Sequence, residues 1–297
     1  MIHYSREVIA ARAKGAPIVA LESTIIAHGL PRPRNLQTAR EIESAVRTGG
    51  ATPATIALLD GKVHVGLESE ELERLASDPG FVKASIRDLA TLIANKGCAA
   101  TTVAATAQIA HLSGITLFAT GGLGGVHRGA RQTWDESADL LALATIPVIV
   151  VCAGVKSILD IPATLERLET LSVPLVGYRT KKFPGFYLSD SGYEIEHNAA
   201  SPAEIAGIWR AAQTIGADQR GMIVANPVQN QMSPDLHHRL LTEGLAAAEA
   251  ANVSGKAATP FLLEYFHANS EGESLRVNVE IILANAKLAA EIACSLL

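Results

Sequence analysis

Cysteine, aromatic side chains and net charge are all scarce in this chain of 297 residues. Its three cysteines, Cys98, Cys152 and Cys294, lie far apart in sequence. An odd count cannot close into a full disulfide framework and no zinc-type spacing is present, so a reducing, cytoplasmic compartment is expected. Lys and Arg number 25 against 30 Asp and Glu, a formal net charge of −5. With no basic excess to neutralise a phosphate backbone, nucleic acid is excluded as the expected partner. The longest apolar stretch, Leu140 to Val155, is interrupted by Pro147 and is shorter than the roughly 20 residues a bilayer requires, so no membrane span is expected. The opening MIHYSREVIAARAKGAP spreads Arg6, Glu7, Arg12 and Lys14 among its apolar positions. It lacks the separate basic and apolar blocks of a secretion signal and reads as an amphipathic first helix. Gly (24) and Pro (13) occur at ordinary frequency and no repeat or low-complexity linker appears, which excludes fibrous and disordered classes. Hydrophobic residues, by contrast, make up 48% of the chain, enough to bury a full core over 1–297 as one domain.

Short β-branched or apolar runs alternate with longer helical stretches. Strands are predicted at Pro17–Leu21, Thr55–Leu59, Lys62–Val65, Thr116–Ala119, Val148–Cys152, Leu175–Gly177 and Met222–Ala225. Predicted helices include Leu36–Thr48, Glu70–Ala76, Ser85–Asn95, Thr102–Leu112, Thr164–Thr170, Pro202–Ile215, Pro234–Ala251, Pro260–Ala268 and Arg276–Ser295. Asp60-Gly61 between two strands is a two-residue hairpin signal, so part of the sheet should be antiparallel. The alternation elsewhere predicts a three-layer α/β/α fold with a mixed, mostly parallel central sheet.

Polar and glycine-rich groups follow several of the strands. Glu22-Ser23-Thr24 comes after the first, Thr120-Gly-Gly-Leu-Gly-Gly-Val-His127-Arg128 after the fourth, Ala153-Gly154-Val155-Lys156 after the fifth and Asn226-Pro227 after the last. In an open α/β sheet the C-terminal strand edge is where ligands bind, so these groups predict one crevice. Lys156 closes the apolar run VIVVCAG, where a low-dielectric wall favours the free amine needed for Schiff-base chemistry; a lysine surfacing along the strand is the plainer reading. Burial of Glu22 after PIVAL would raise its pKa toward that of a general acid, or it caps the next helix. The Gly121–Gly125 loop fits an anion cradle or a tight packing turn, and matches neither the dinucleotide fingerprint nor a P-loop. Asp135, Ser137 and Asp139 alternate, and on a helix Asp135 and Asp139 would share a face. A hard cation would take one or two such carboxylates; capping by Asp135 beside a solvated Asp139 is the simpler alternative. Lys83 before Ser85 suits a phosphate at a helix N-terminus, and a Ser85–Asp88 capping box explains the same residues. His28, His64, His111, His197, His237, His238 and His267 fall in no metal-ligand spacing.

Taken together, these segments closely resemble the pseudouridine-5′-phosphate glycosidases, a family that includes the indigoidine-cluster protein A. The resemblance is carried by VALESTIIAHGLPRPRN, GGATPATIALLDGKVHVGL, KASIRDL, ATTVAATAQIA, FATGGLGGVHRGA, ESADLLALA, PVIVVCAGVKSILDIPATLE, PLVGYRT, FPGFY, ANPV and GKAATPFLLEY. They run in order over nearly the whole chain. The chain departs from the family pattern at Val228-Gln229-Asn230-Gln231 and at Ala107.

The resemblance implies a trimeric α/β/α enzyme that uses a divalent metal, usually Mn²⁺. It implies reversible cleavage of the C–C bond between ribose 5-phosphate and uracil in pseudouridine 5′-phosphate. It makes Lys156 the nucleophile, Glu22 the proton donor and Asp135 the metal ligand. Lys83, Val103 and the segment Ser137, Ala138 and Asp139 would contact substrate, as would Thr120, His127 and Asn278. A C-glycosidic bond has no heteroatom leaving group, so protonating an oxygen cannot by itself release the base. A lysine adduct with a ring-opened ribose provides the electron sink instead. Two other functions compete: a related C-glycosidase with a different aglycone, and a non-catalytic sugar-phosphate sensor.

Overall fold

A computed structural model of the chain describes residues 2–253 and 257–297; the Gly255-Lys256 start of the GKAATPFLLEY stretch lies outside them. The chain opens with β1 (Ile2–Tyr4) and α1 (Arg6–Ala13), followed by β2 (Ile18–Leu21) and one π-helical turn at Ile25–Gly29. Next come α2 (Arg34–Thr48), β3 (Thr52–Leu59), β4 (Lys62–Val65), α3 (Ser69–Ser77), β5 (Val82–Ala84) and α4 (Ile86–Ala94). The middle contains β6 (Ala99–Thr101), α5 (Val103–Leu112), β7 (Leu117–Ala119), α6 (Ala130–Thr133), α7 (Ala138–Thr145) and β8 (Ile149–Cys152). It continues through α8 (Ile161–Thr170), β9 (Leu175–Tyr178), β10 (His197–Ala199) and α9 (Pro202–Thr214). The chain finishes with β11 (Met222–Ala225), α10 (Pro234–Ala250), α11 (Ala258–Asn269) and α12 (Glu273–Leu296). No described helix is long and apolar enough to cross a membrane.

The strands form one mixed sheet in the order β1-β4-β3-β2-β7-β8-β11-β9-β10, with β6 on β3 and β5 on β6. All pairings are parallel except β3 with β4 and β3 with β6. The β3–β4 turn is the predicted hairpin. Asp60 and Gly61 both have positive φ, 51° and 74°, the backbone twist a two-residue turn needs.

Alternate residues of the central strands enter opposite cores, the period-2 rule applied to a sheet covered on both faces. Ala20, Phe118, Val150 and Ile223 pack with Ala104 and Ala107 of α5, Leu143 of α7, Leu240 of α10 and Phe266 of α11. Val19, Leu21, Leu117, Val151 and Val224 pack with Ile42 and Val46 of α2, Trp209 of α9, and Ile282, Ala286 and Ala289 of α12. This is the expected three-layer arrangement.

The first segment differs from expectation. Ile2–Tyr4 is an edge strand parallel to β4, and only Arg6–Ala13 is helical, capped by Ser5 accepting from the Val8 N–H. An apolar neighbour edge outweighs the local helical pattern there. Strands β5, β6 and β10 are three residues each, too short to show a period of their own.

Candidate active site

The C-terminal ends of β2, β7 and β8 lie side by side and open into a cavity of about 320 Å³. Glu22, Lys83, Val103, His127, Asp135, Ser137, Ala138, Asp139, Lys156 and Asn278 all line it, so the structure gathers residues from seven separate segments. Thr120, fully buried at the end of β7, stands behind the wall and donates its hydroxyl to the Glu22 carboxylate. Glu22 caps no helix; the residue before the π-helical turn is Thr24. Burial raises the Glu22 pKa above the ordinary carboxylate value, and this outweighs the opposing charges of Lys156 and Lys83 and the Thr120 hydrogen bond. A group so placed holds its proton to higher pH than a surface glutamate.

Lys156 sits beyond β8 on a loop sewn to the glycine loop. Ala153 N–H donates to the Gly121 carbonyl, Leu123 N–H to Gly154 and Lys156 N–H to Leu123, at 2.9, 2.9 and 3.2 Å. The Lys156 ammonium nitrogen lies 2.5 Å from the Gly122 carbonyl oxygen. Gly154 has φ 76°, and a Cβ there would stand 2.0 Å from the Pro184 carbonyl oxygen. The approach that lets the lysine loop turn toward the cavity therefore requires glycine.

The Gly121–Gly125 loop is a tightly packed turn. A Cβ on Gly122 would meet Phe186 at 2.6 Å, one on Gly124 would meet the Ser137 hydroxyl at 2.2 Å, and one on Gly125 would meet the Thr164 hydroxyl at 2.4 Å. Its Leu123 and Gly124 N–H groups are already bonded to Gly154 and Asp139, and the N–H of the next residue, Val126, to Thr164.

Asp139 has one oxygen on the Gly124 N–H at 2.9 Å and the other on the Ala104 N–H at 3.1 Å, tying the glycine loop to the first turn of α5. Asp135 and Asp139 do not share a helical face, because α7 begins at Ala138 with Ser137 as its cap. Asp135 lies in the preceding loop, its carbonyl accepting from the His127 N–H at 3.0 Å. Its carboxylate is 3.7 Å from His127 Nδ1. Desolvation lowers the His127 pKa despite Asp135, which keeps the ring neutral and able to act as a metal donor. No group of three or more His, Cys, Asp or Glu converges on one point among the described residues. One hard carboxylate beside a neutral imidazole fits a divalent cation that retains most of its water.

Lys83 also lines the cavity, its charge acting on Glu22, His28 and His127. Beside it Ser85 caps α4, with its N–H donating to Asp88 at 2.9 Å in the expected capping box. Asn278, from α12, is buried at the wall, and its side-chain oxygen has no hydrogen-bond partner. An orphaned buried acceptor facing a cavity is a place for a ligand donor.

Sequence reasoning missed His28, Arg87 and Phe186, all of which line the cavity. The π-helical turn that places His28 has no period to read, although such turns are frequent at functional sites. Asn226, grouped with the site in sequence, instead supports it from behind. It donates to Asn285 at 3.0 Å, and Asn285 donates to the Thr120 carbonyl at 2.8 Å. The divergent Asn230 and Gln231 are tied to Glu280 and Ser189, away from the cavity.

Comparison with known proteins identifies the family and the fold. Residues 7–295 match the family described as indigoidine synthase A like protein. The pseudouridine-5′-phosphate glycosidase of Salinispora tropica is 55% identical over 98% of this chain and 91% of its own. That of Streptomyces griseus is 54% identical over 97% and 90%. Among solved structures, the prealnumycin C-glycosynthase AlnA in complex with ribulose 5-phosphate superposes with a TM-score of 0.91 and 34% identity, covering 100% of this chain and 97% of AlnA. The indigoidine synthase A-like protein of Thermotoga maritima gives 0.89 and 36%, covering 99% and 95%.

Proposed function

The chain belongs to the indigoidine synthase A-like family of pseudouridine-5′-phosphate glycosidases, and from that premise we propose that it reversibly cleaves pseudouridine 5′-phosphate to uracil and ribose 5-phosphate. The observation that carries the reading is the meeting of Lys156 and a burial-raised Glu22 in one cavity.

The Lys156 amine attacks C1′. The C1′–O4′ bond breaks, O4′ takes up a proton, and the amine loses one. In this opened adduct the nitrogen lone pair then forms a C=N bond to C1′ as the C1′–C5 bond breaks, its electron pair passing to uracil C5, which is protonated. Water hydrolyses the resulting iminium and returns Lys156 and ribose 5-phosphate. Glu22 is the proton donor, its raised pKa keeping a proton available where an exposed carboxylate would have lost it. Thr120 orients the Glu22 carboxyl, and Asn278 offers its unpartnered oxygen to a substrate hydroxyl or N–H. Lys83 and the start of α4, with Arg87, receive the phosphate. Asp135, with His127 beside it, would hold Mn²⁺ or another divalent cation, which supplies positive charge and ordered water to the site. The homotrimer and the cytoplasmic location are part of the same proposal.

The test is to incubate uracil, ribose 5-phosphate and Mn²⁺ with the protein and to look for pseudouridine 5′-phosphate. Borohydride should trap a ribose 5-phosphate adduct on the wild type and not on Lys156→Ala. Turnover by folded Lys156→Ala at the wild-type rate would refute the mechanism. One alternative has an observation of its own. AlnA, a C-glycosynthase, shares the fold at 34% identity, and Ile25, Phe186 and Leu263 give the cavity an apolar wall. Adduct formation without uracil coupling would favour a different aglycone.

A further inference from the structure

The Lys156 loop has a second side. Behind it lies another cavity of about 300 Å³, walled in part by Arg128, Ser157 and His237, none of which reaches the first cavity. Ser157, the residue after Lys156, is 4% exposed and His237 of α10 is 5% exposed. The Ser157 hydroxyl oxygen is 2.6 Å from His237 Nε2. Arg128 grips the same stretch of backbone, donating to the Ile158 carbonyl at 3.2 Å and the Ser157 carbonyl at 3.4 Å.

His237 is itself wedged. Its ring lies tilted 6.4 Å from Tyr187 and 5.7 Å from Phe266, and those two rings stack at 5.2 Å. Burial, reinforced by the charges of Arg128 and His238, lowers its pKa to about 4. The ring is therefore neutral near pH 7, with one nitrogen donor and one acceptor for the serine contact. A lysine side chain has four torsions; its amine is held at its tip by the Gly122 carbonyl and at its root by the backbone it springs from. That backbone has the Leu123 carbonyl as partner for the Lys156 N–H and the Leu159 N–H as partner for the Lys156 carbonyl; the side chains that hold the next two residues are those of His237 and Arg128.

We propose that His237 is a positioning residue for Lys156: through Ser157, and together with Arg128, it fixes the loop so that the amine points into the cavity. This inference rests on the reading of Lys156 as nucleophile. A group that holds a nucleophile in place changes the rate of attack more than the binding of substrate.

The experiment measures borohydride trapping of ribose 5-phosphate by mass spectrometry on the full chain. It compares wild type, Ser157→Ala, His237→Phe, His237→Gln and the Ser157→Ala/His237→Phe double variant. Phe fills the ring's place without the hydrogen bond, whereas Gln restores a polar atom near Nε2. Loss of one buried hydrogen bond sets the scale, so His237→Phe and Ser157→Ala should each slow trapping about tenfold. The ribose 5-phosphate concentration for half-maximal trapping should stay at its wild-type value. The double variant should be no slower than either single one, and His237→Gln should recover most of the rate. Ser157→Ala removes only one oxygen, so it keeps the test open if His237→Phe fails to fold. Unchanged trapping in folded Ser157→Ala, losses that multiply in the double variant, or no recovery with Gln would each overturn the inference while leaving the lysine mechanism standing. Absence of any adduct on the wild type would overturn both.

Discussion

Replacing Asp139 removes a side chain that bridges the glycine loop and helix α5. Its two oxygens accept from the Gly124 and Ala104 N–H groups at 2.9 and 3.1 Å, and the residue is 7% exposed. In Asp139→Ala both donors lose their partner in a buried place. Each unmade bond costs about 1–3 kcal/mol, so the variant should lose about 2–6 kcal/mol of stability. Out of a total of about 5–15 kcal/mol for a typical domain, that loss moves the denaturation midpoint visibly. Asp139→Asn keeps one acceptor but turns an amide N–H toward the other backbone N–H, and about 1–3 kcal/mol should be lost. The assay is urea unfolding of ligand-free protein, with hydrogen exchange at the Ala104 and Gly124 amides as the local readout. Exchange at those two amides should accelerate ahead of the surrounding core. If both variants unfold within about 0.5 kcal/mol of wild type, as ordinary surface substitutions do, while binding of ribose 5-phosphate weakens, Asp139 is a substrate ligand and the bridging argument is wrong.

Three further outcomes follow from the geometry. Burial raises the Glu22 pKa, so the folded chain holds that proton more tightly than the unfolded one. Its share of stability is present below the ordinary carboxylate pKa and declines as pH rises through the raised value; kcat should fall over the same upper window, and Glu22→Gln should remove that limb from the pH–rate profile. A limb at the pKa of an ordinary glutamate would contradict the assignment. Asp135→Asn should raise the Mn²⁺ concentration needed for half-maximal activity by about tenfold or more, measured by metal titration after chelation, and an unchanged titration would remove Asp135 from the metal site. Gly154→Ala places a methyl 2.0 Å from the Pro184 carbonyl in a φ 76° conformation; it should lower the melting temperature and slow adduct formation together, and a variant with wild-type values for both would refute the close-approach argument.

The legible parts of the fold were those with a strong period or a sharp turn. The runs PIVAL, VIVVC and MIVA announced buried parallel strands, and Asp60-Gly61 announced the hairpin, because burial and backbone chirality act locally there. The strand ends then located the crevice, since a parallel sheet brings all its C-terminal edges to one side. The edge strands IHY, VKA and HNA were not legible, because three residues paired to a neighbour carry no signature without that neighbour. Glu22 and Lys156 could be suspected from position alone. Asp135 and Asp139 could not be separated by spacing; only the start of α7 at Ala138 sends one to the cavity loop and the other to the backbone bridge. The Ser157–His237 contact joins residues 80 apart in sequence, and nothing in either neighbourhood pointed to the other.

Helix α12 reaches under the sheet to set Asn278 in the cavity wall and Asn285 against the Thr120 carbonyl. A ribosome releases Glu22 first, Lys156 later and these two asparagines after both. An emerging chain thus exposes Lys156 well before the floor beneath Thr120 is laid, and a polypeptide halted before α12 has no finished cavity.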